Sequence, residues 1–346
     1  TTEIYTLSLH DALPISLTLG YGNNNGFQNT IAGGVSNLIE AHNAMAIGDG
    51  NYIGGRNGIA CGYGNRIEPN CDNSFIFGAN CNVNAHQSMA GGGGCIIDSG
   101  CEHSLAFGYL ATAKSPNSYA IGYQVDAIGM YSFALGTNCY ASGSVSFALG
   151  EAKTDDVADH SMAVGGSNTY THGIFSLAFG DEVIASGSYS HAFGYKVRTI
   201  GDKSFAGGAG DKAAGEIKAT GVCSFNFSKI EGSYPDGTNG LCSVILGGLN
   251  LSVDGDYSTI IGSNTATIGD SDYCMVMASV NSSINSSVSR SAVICMDNYT
   301  MAYSNMVAMP NVLCAEPSGG LVLTSPNGTK YIMRVDDSGN TSVIAY

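Results

Sequence analysis

A short pattern that recurs about every 14 residues constrains this chain more than any other feature. It is the pentad Ser-φ-Ala-φ-Gly, in which φ is a large apolar residue. Between Ser104 and Gly150 it occurs four times, as SLAFG, SYAIG, SFALG and SFALG. The serine positions can be followed from Ser16 to Ser304 through about 20 units, which are 14 to 16 residues long up to Ser204 and vary more beyond it. The chain is therefore a repeat protein over most of its length.

Each unit predicts two short β-strands. Large and small residues alternate within the pentad, as at Phe133 and Leu135, and a period of two is that of a strand. A weaker alternation follows in the second half of the unit, for example at Val125 and Ala127. Because the 48 glycines suit tight turns, we predict an all-β fold: a parallel β-solenoid, or β-roll, of about 14 residues per coil. Coils stacked at strand spacing would form a rod on the order of 95 Å long.

Both faces of the predicted long strands carry apolar residues, which suggests two buried interfaces. The third pentad position is alanine in 12 of the first 14 units, as at Ala134 and Ala148. We expect this small-residue face to be approached closely by neighbouring chains, in a homotrimeric rod. From Ser243 onward the same position holds Ile245, Ile260 and then valines, so we expect the cross-section to change there.

The repeat divides the chain into four predicted regions. Residues 1–15 precede the repeat, lack glycine and are predicted to be non-native or disordered. Residues 16–208 form the regular β-roll, and residues 209–308 form an irregular solenoid with longer coils and loops. Residues 309–346 form a C-terminal β-meander cap, with strands predicted at Leu321–Thr324 and Lys330–Val335 on either side of a turn.

Composition narrows the classes of partner. The chain has 28 acidic and 13 basic residues, a net charge of −15, which disfavours nucleic acid and anionic lipid as partners. Its hydrophobic content of 44% is too high for a disordered chain. No apolar run approaches the roughly 20 residues of a membrane helix, so we predict no membrane insertion.

The segment SFALGTNCYASGSVSFALG, from Ser132 to Gly150, resembles the head repeat of trimeric autotransporter adhesins, the YadA-like left-handed parallel β-roll. The resemblance is good from Ser16 to Gly208 and poor from Ser224 to Ala308. It implies a homotrimer that is exposed at a cell surface, binds host or matrix ligands and has no catalytic residue in the repeat. The C-terminal segment from Gly319 to Asn340 is similar to short C-terminal segments of phage tail fibres.

The cysteines predict structure rather than chemistry. There are 11, without any C-x-x-C spacing, so we predict no metal site and no cofactor. Cys81, Cys95 and Cys139 all fall seven residues after the start of a repeat, where other units carry Ala or Val. We expect them to occupy a small buried position, as free cysteine behaves like a small apolar residue, and the sequence leaves open whether any cysteine forms a disulfide.

The expected function is attachment without catalysis: an adhesin head or a phage tail-fibre receptor-binding protein, extracellular, on a bacterial surface or a virion tail. Its partner would be a carbohydrate or protein of a host-cell surface or matrix. Two alternatives stay open, a structural spacer rod and a tailspike-type polysaccharide depolymerase. The depolymerase would use the acidic cluster at Glu151, Asp155, Asp156 and Asp159, which we interpret as a solvated loop.

A regular repeat leaves little room for a shaped pocket, so we expect ligand binding where the repeat is irregular. Three loops stand out, at residues 65–73, 151–160 and 228–240. The last carries the most surplus residues and combines an aromatic ring with hydrogen-bonding groups, which suits a carbohydrate. The predicted binding residues are Lys229, Glu231, Tyr234, Asp236 and Asn239.

Overall fold

The structure, a computed structural model, describes residues 15–210, 215–229, 237–309, 321–324, 329–335 and 341–345. Every regular element in these residues is a β-strand. One parallel sheet contains 35 strands, wound as a solenoid, and a separate sheet contains 3 strands. Of the segment predicted to be non-native, residues 1–14 lie outside the described residues.

Most coils consist of a longer strand followed by a two- or three-residue strand. The longer strands are β1 (Leu17–Tyr21), β3 (Ile31–Val35), β5 (Met45–Asp49), β7 (Ile59–Tyr63), β9 (Phe75–Ala79), β11 (Met89–Gly93), β13 (Leu105–Tyr109), β15 (Tyr119–Tyr123), β17 (Phe133–Thr137), β19 (Phe147–Gly150), β21 (Met162–Gly165), β25 (Phe205–Ala209), β27 (Phe225–Lys229), β31 (Met275–Met277), β33 (Ala292–Ile294) and β35 (Val307–Ala308). In four coils the two strands merge, as β23 (Leu177–Ala185), β24 (His191–Thr199), β29 (Val244–Val253) and β30 (Thr259–Ile268).

The short strands lie on a second side of the coil. They are β2 (Asn24–Asn25), β4 (Leu38–Ile39), β6 (Tyr52–Ile53), β8 (Arg66–Ile67), β10 (Asn82–Val83), β12 (Ile96–Ile97), β14 (Thr112–Ala113), β16 (Asp126–Ala127), β18 (Tyr140–Ala141), β20 (Lys153–Thr154), β22 (Tyr170–Thr171), β26 (Ile217–Ala219), β28 (Gly237–Thr238), β32 (Ser283–Ile284) and β34 (Thr300–Met301).

Equivalent residues of successive coils pair in register. In the regular part, Tyr119 of β15 lies between Leu105 of β13 and Phe133 of β17, each 14 residues away. The short strands follow the same rule, with Asp126 of β16 paired to Tyr140 of β18. The predicted all-β parallel solenoid with coils of about 14 residues is therefore confirmed. Side chains at one repeat position form a straight column along the solenoid.

The alanine series lines the inside of the coil, so our expectation that it faces neighbouring chains is wrong. Ala106, Ala120, Ala134 and Ala148 have no exposed surface within a single chain. The large pentad residues point outward instead. The two strands of a coil face each other across a narrow interior, which holds alanine at this position in most regular coils and the fully buried Ile76 in one.

Three clusters of buried apolar residues fill the solenoid in succession. The first runs from Ala32 to Ala148, the second from Ala178 to Ala219, and the third from Ile245 to Met301. In the third cluster Ile245 and Ile260 replace the inward alanine and have no exposed surface. The change of cross-section stays a prediction.

The position seven residues into the repeat is also inward. Buried Asn37, Asn51 and Asn65 form a ladder there, in which the Asn51 side-chain amide donates to Asn37 Oδ1 at 2.9 Å. The column continues with Cys81 and Cys95, which are at most 1% exposed. All ten cysteines among the described residues, Cys139 included, are free thiols. The predicted small buried position is confirmed for these three residues.

The second sheet contains β36 (Leu321–Thr324), β37 (Lys330–Val335) and β38 (Thr341–Ala345). β37 pairs antiparallel with both neighbours. The two strands predicted in this segment are confirmed at the same bounds, and the turns between them lie outside the described residues. Its role as a cap stays a prediction.

Candidate functional site

A column of aromatic and basic side chains follows the outward side of the short strands. Tyr140 of β18 pairs with Lys153 of β20, which in turn pairs with Tyr170 of β22. The Lys153 ammonium lies 4.9 Å from the centre of the Tyr140 ring and 5.7 Å from that of Tyr170. Cation–π attraction to both rings therefore holds the lysine between them.

A polar pair lies beside this column, at the corner that follows the short strands. Asp155 Oδ2 is 2.7 Å from Nδ1 of His172, which belongs to the next coil. The hydrogen bond from His172 lowers the pKa of Asp155 below its ordinary value. The backbone N–H of Asp156 also donates to Asp155 Oδ1, at 2.9 Å. Asp155 is therefore ionised at neutral pH and held in place.

An irregular coil shapes this corner. Four residues separate Ala141 from Ser146, whereas six separate the equivalent Thr154 from Ser161. The two extra residues protrude around Asp156 and Val157, and Val157 is 61% exposed. They do not disturb the stacking, since the Asp155 N–H still donates to the Thr171 carbonyl at 2.9 Å. The insertion is therefore accommodated at the surface of the corner, outside the stacked strands.

A surface cavity of about 410 Å³ lies at this corner, and we call it the corner groove. It is lined by Tyr140, Ser142, Lys153, Thr154, Asp155, Tyr170 and His172. The ring of His172 stacks parallel to that of Tyr170, with centres 6.0 Å apart. Aromatic faces, an ammonium and a carboxylate thus converge on one concave site. A volume of this size is within the usual range for sites that bind small ligands.

The structure places only two of the five predicted binding residues. Lys229 ends strand β27, where the pairing with β29 shifts register. Asn239 belongs to a hydrogen-bonded corner column: it accepts from Thr220 Oγ1 and donates to Asp254 Oδ1 at 2.6 Å. Glu231, Tyr234 and Asp236 lie outside the described residues. Their joint action as a binding site stays a prediction.

The corner groove was only partly visible in the sequence. The sequence predicts an irregular loop at residues 151–160, but its spacing does not point to Tyr140, Tyr170 or His172. The signal was the register itself, which brings residues of three successive units into contact.

The outward side of the longer strands is a second notable surface. Two columns of mainly large apolar residues run along it, and we call them the outer face. One contains Tyr119, Phe133 and Phe147, and the other contains Leu135 and Phe179. The rings of Phe133 and Phe147 stack at 5.0 Å, and Phe179 is 50% exposed in the single chain. Such a long apolar surface is unusual for a soluble monomer.

Within the described residues, no helix is long and apolar enough to cross a membrane. In the residues that the structure describes, no group of three or more His, Cys, Asp or Glu side chains is arranged so that it could hold a metal ion. A scan against protein-family models matches none, and a search of curated proteins finds no match. Function must therefore be argued from the fold, the outer face and the corner groove.

Proposed function

We propose that this protein is a homotrimeric, non-enzymatic rod that attaches to the surface of a host cell, as an extracellular adhesin head or phage tail fibre. The observation that carries the proposal is the outer face. An exposed apolar surface that extends along successive coils is stable in water when another apolar surface of the same length buries it. Two further copies of the same chain, in the same register, provide one.

The stacked coils supply the reach of such a rod. Their parallel pairing is continuous from β1 to β35, so the two ends are joined by backbone hydrogen bonds throughout. Three copies of any binding site would be held on one rigid body. Several weak contacts made together then give avidity without a tight single contact. This favours attachment over a purely structural spacer.

The state of Asp155 disfavours this carboxyl as the general acid of a hydrolysis. A glycosidase needs a general acid that remains protonated, which requires a raised carboxyl pKa. The pKa of Asp155 is instead lowered by its bond to His172. This carboxyl is therefore suited to accept hydrogen bonds from a ligand and not to protonate a leaving group.

Light scattering of the protein without residues 1–14 tests the assembly. We expect the mass of three chains, and we expect Leu135→Asp combined with Leu149→Asp to shift it to one chain. Val145→Asp, at a corner position that is 47% exposed, is the matched control and should leave the mass unchanged. A soluble wild-type monomer would refute the trimer.

Adsorption and hydrolysis are tested on the same preparation. The labelled trimer should adsorb to the cells or matrix of its natural host, and the dissociated variant should lose this through lost avidity. Incubation with capsular or cell-wall polysaccharide should release no reducing ends. Release that disappears in Asp155→Asn or Asp156→Asn would assign the protein to the depolymerases instead.

A further inference from the structure

We infer that the corner groove binds a neutral glycan that lies along the column of Tyr140, Lys153 and Tyr170. This rests on the proposed attachment function and assigns a ligand class and a place to it. The site differs from the loop around Tyr234 that the sequence favoured.

The spacing of the two rings fits a chain of linked sugars. Tyr140 and Tyr170 occupy the same column two coils apart, which corresponds to roughly 10 Å. A disaccharide unit has about this length, so the two tyrosines correspond to alternate sugars of a chain and not to neighbouring ones. The column therefore offers two aromatic rings in line along the path of a glycan, with Lys153 packed between them.

Lys153 provides the polar contact between the two rings. Other basic side chains on this surface are paired with carboxylates, as Lys114 is with Asp126 at 2.6 Å. Among the described residues Lys153 makes no such ion pair, and aromatic rings flank it on both sides. Its N–H groups are free to donate to hydroxyl or ring oxygens of a sugar.

Asp155 provides the complementary acceptor. Its carboxylate is oriented by His172 and by the Asp156 N–H, and an ionised carboxylate has lone pairs left for sugar hydroxyls. A donor and an acceptor beside aromatic faces recognise a hydroxyl pair by charge-assisted hydrogen bonds.

The charge around the groove selects neutral sugars over acidic ones. Glu151, Asp156 and Asp159 belong to the same coil as Lys153, and the first two are exposed. Their negative charges outnumber the single ammonium, so a carboxylated sugar would be repelled at close range.

Binding of the intact trimer to immobilised hexasaccharides tests the inference. The neutral probes are maltohexaose, cellohexaose, mannohexaose and N-acetylated chitohexaose, and the acidic probe is hexagalacturonate. We expect at least one neutral probe to bind more tightly than hexagalacturonate. Tyr140→Ala, Tyr170→Ala and Lys153→Met should each weaken that binding about tenfold.

Tyr123→Ala is the matched control, because it removes an exposed ring that stacks on Tyr109 at 5.4 Å outside the groove. Its binding should stay within about twofold of wild type. Circular dichroism and light scattering must show that every variant is folded and has the mass of the wild type; Asp155→Asn, which keeps size and removes charge, replaces any that fails.

The inference is overturned if no neutral probe binds, if hexagalacturonate binds most tightly, or if the groove variants bind like Tyr123→Ala. If the protein is trimeric and adsorbs to cells but fails these tests, only the assignment of the groove is refuted. If the protein is a monomer and does not adsorb to cells, the proposed function itself is refuted.

Discussion

The glycine that ends each pentad permits the coils to stack closely. Three glycine-to-alanine variants test whether its backbone conformation or the contact with the next coil requires it. Gly122 has φ 136°, and a Cβ there would lie 1.9 Å from the carbonyl oxygen of Gly136 in the next coil. Ordinary van der Waals contact begins at 3.4 Å, so Gly122→Ala requires about 1.5 Å more separation. The coils cannot separate this far without losing backbone hydrogen bonds of about 2.9 Å.

Two other glycines isolate the separate causes. Gly100 has φ 78° with open space around its missing Cβ, so Gly100→Ala has only the left-handed backbone cost. Gly129 lacks a positive φ, but its Cβ would lie 2.0 Å from the Gly143 carbonyl oxygen, so Gly129→Ala has only the clash. The left-handed conformation costs about 1–2 kcal/mol for a residue with a side chain.

We expect Gly100→Ala to lower the free energy of unfolding by about 1 kcal/mol. Gly129→Ala should cost more, because disrupted ladder bonds each contribute about 1 kcal/mol and a buried unpaired group costs about 1–3 kcal/mol. Gly122→Ala combines both effects and should cost at least about 4 kcal/mol. Urea unfolding followed by circular dichroism measures all three. Equal losses for Gly100→Ala and Gly122→Ala would show that the coils can spread, and would refute the argument.

Three further predictions follow from burial and charge. Ala134→Leu should destabilise the interior by about 1–3 kcal/mol in urea unfolding yet leave the mass in light scattering unchanged; a change of mass would return the alanines to an interface between chains. In a Cys314→Ser background at pH 8, a disulfide reagent should label the exposed Cys223 and Cys295 quickly. It should reach Cys139 only after unfolding, because burial raises the pKa of this thiol to about 11. The pKa of Asp155 is lowered in the folded state, so its stabilising contribution exists above the ordinary value of 3.8 and is lost as the pH falls through the lower folded value. The stability difference between wild type and Asp155→Asn should accordingly disappear in acid, and a difference that persists at the lowest pH would contradict this.

The repeat was sufficient to predict the solenoid because its period equals the register between strands. It was insufficient to orient the strands. Alternation defines two faces, and both are apolar here, so the usual expectation that the larger residues lie inside did not apply. The thin interior decided the orientation: Ala134 fits inside the coil, whereas Phe133 does not.

The corner groove could not be predicted by counting residues from the repeat. By count, Lys153 falls seven residues after Ser146, at the inward position that Cys139 occupies one coil earlier. The bend before β20 is one residue shorter than the bend before β18, so Lys153 pairs with Tyr140 and points outward, while Ala152 is buried. A single deletion thus moved a charge from the interior to the surface, and only the pairing of strands reveals it.

The interior of the same coils explains how the groove is supported. The first apolar cluster ends at Ala148 and the second begins at Ala178, and between them hydroxyl groups lie inside the solenoid. Thr154 Oγ1 donates to Ser146 Oγ at 2.9 Å, and the Ser161 and Thr171 hydroxyls are 3.1 Å apart. Thr154 and Thr171 directly follow Lys153 and Tyr170 in their strands, so these two outward groove residues each have an inward neighbour fixed by a hydrogen bond. Directional bonds specify one position for a strand where apolar contacts permit several. The irregular coil therefore stays rigid although it departs from the repeat, and a rigid site loses less conformational entropy when a ligand binds.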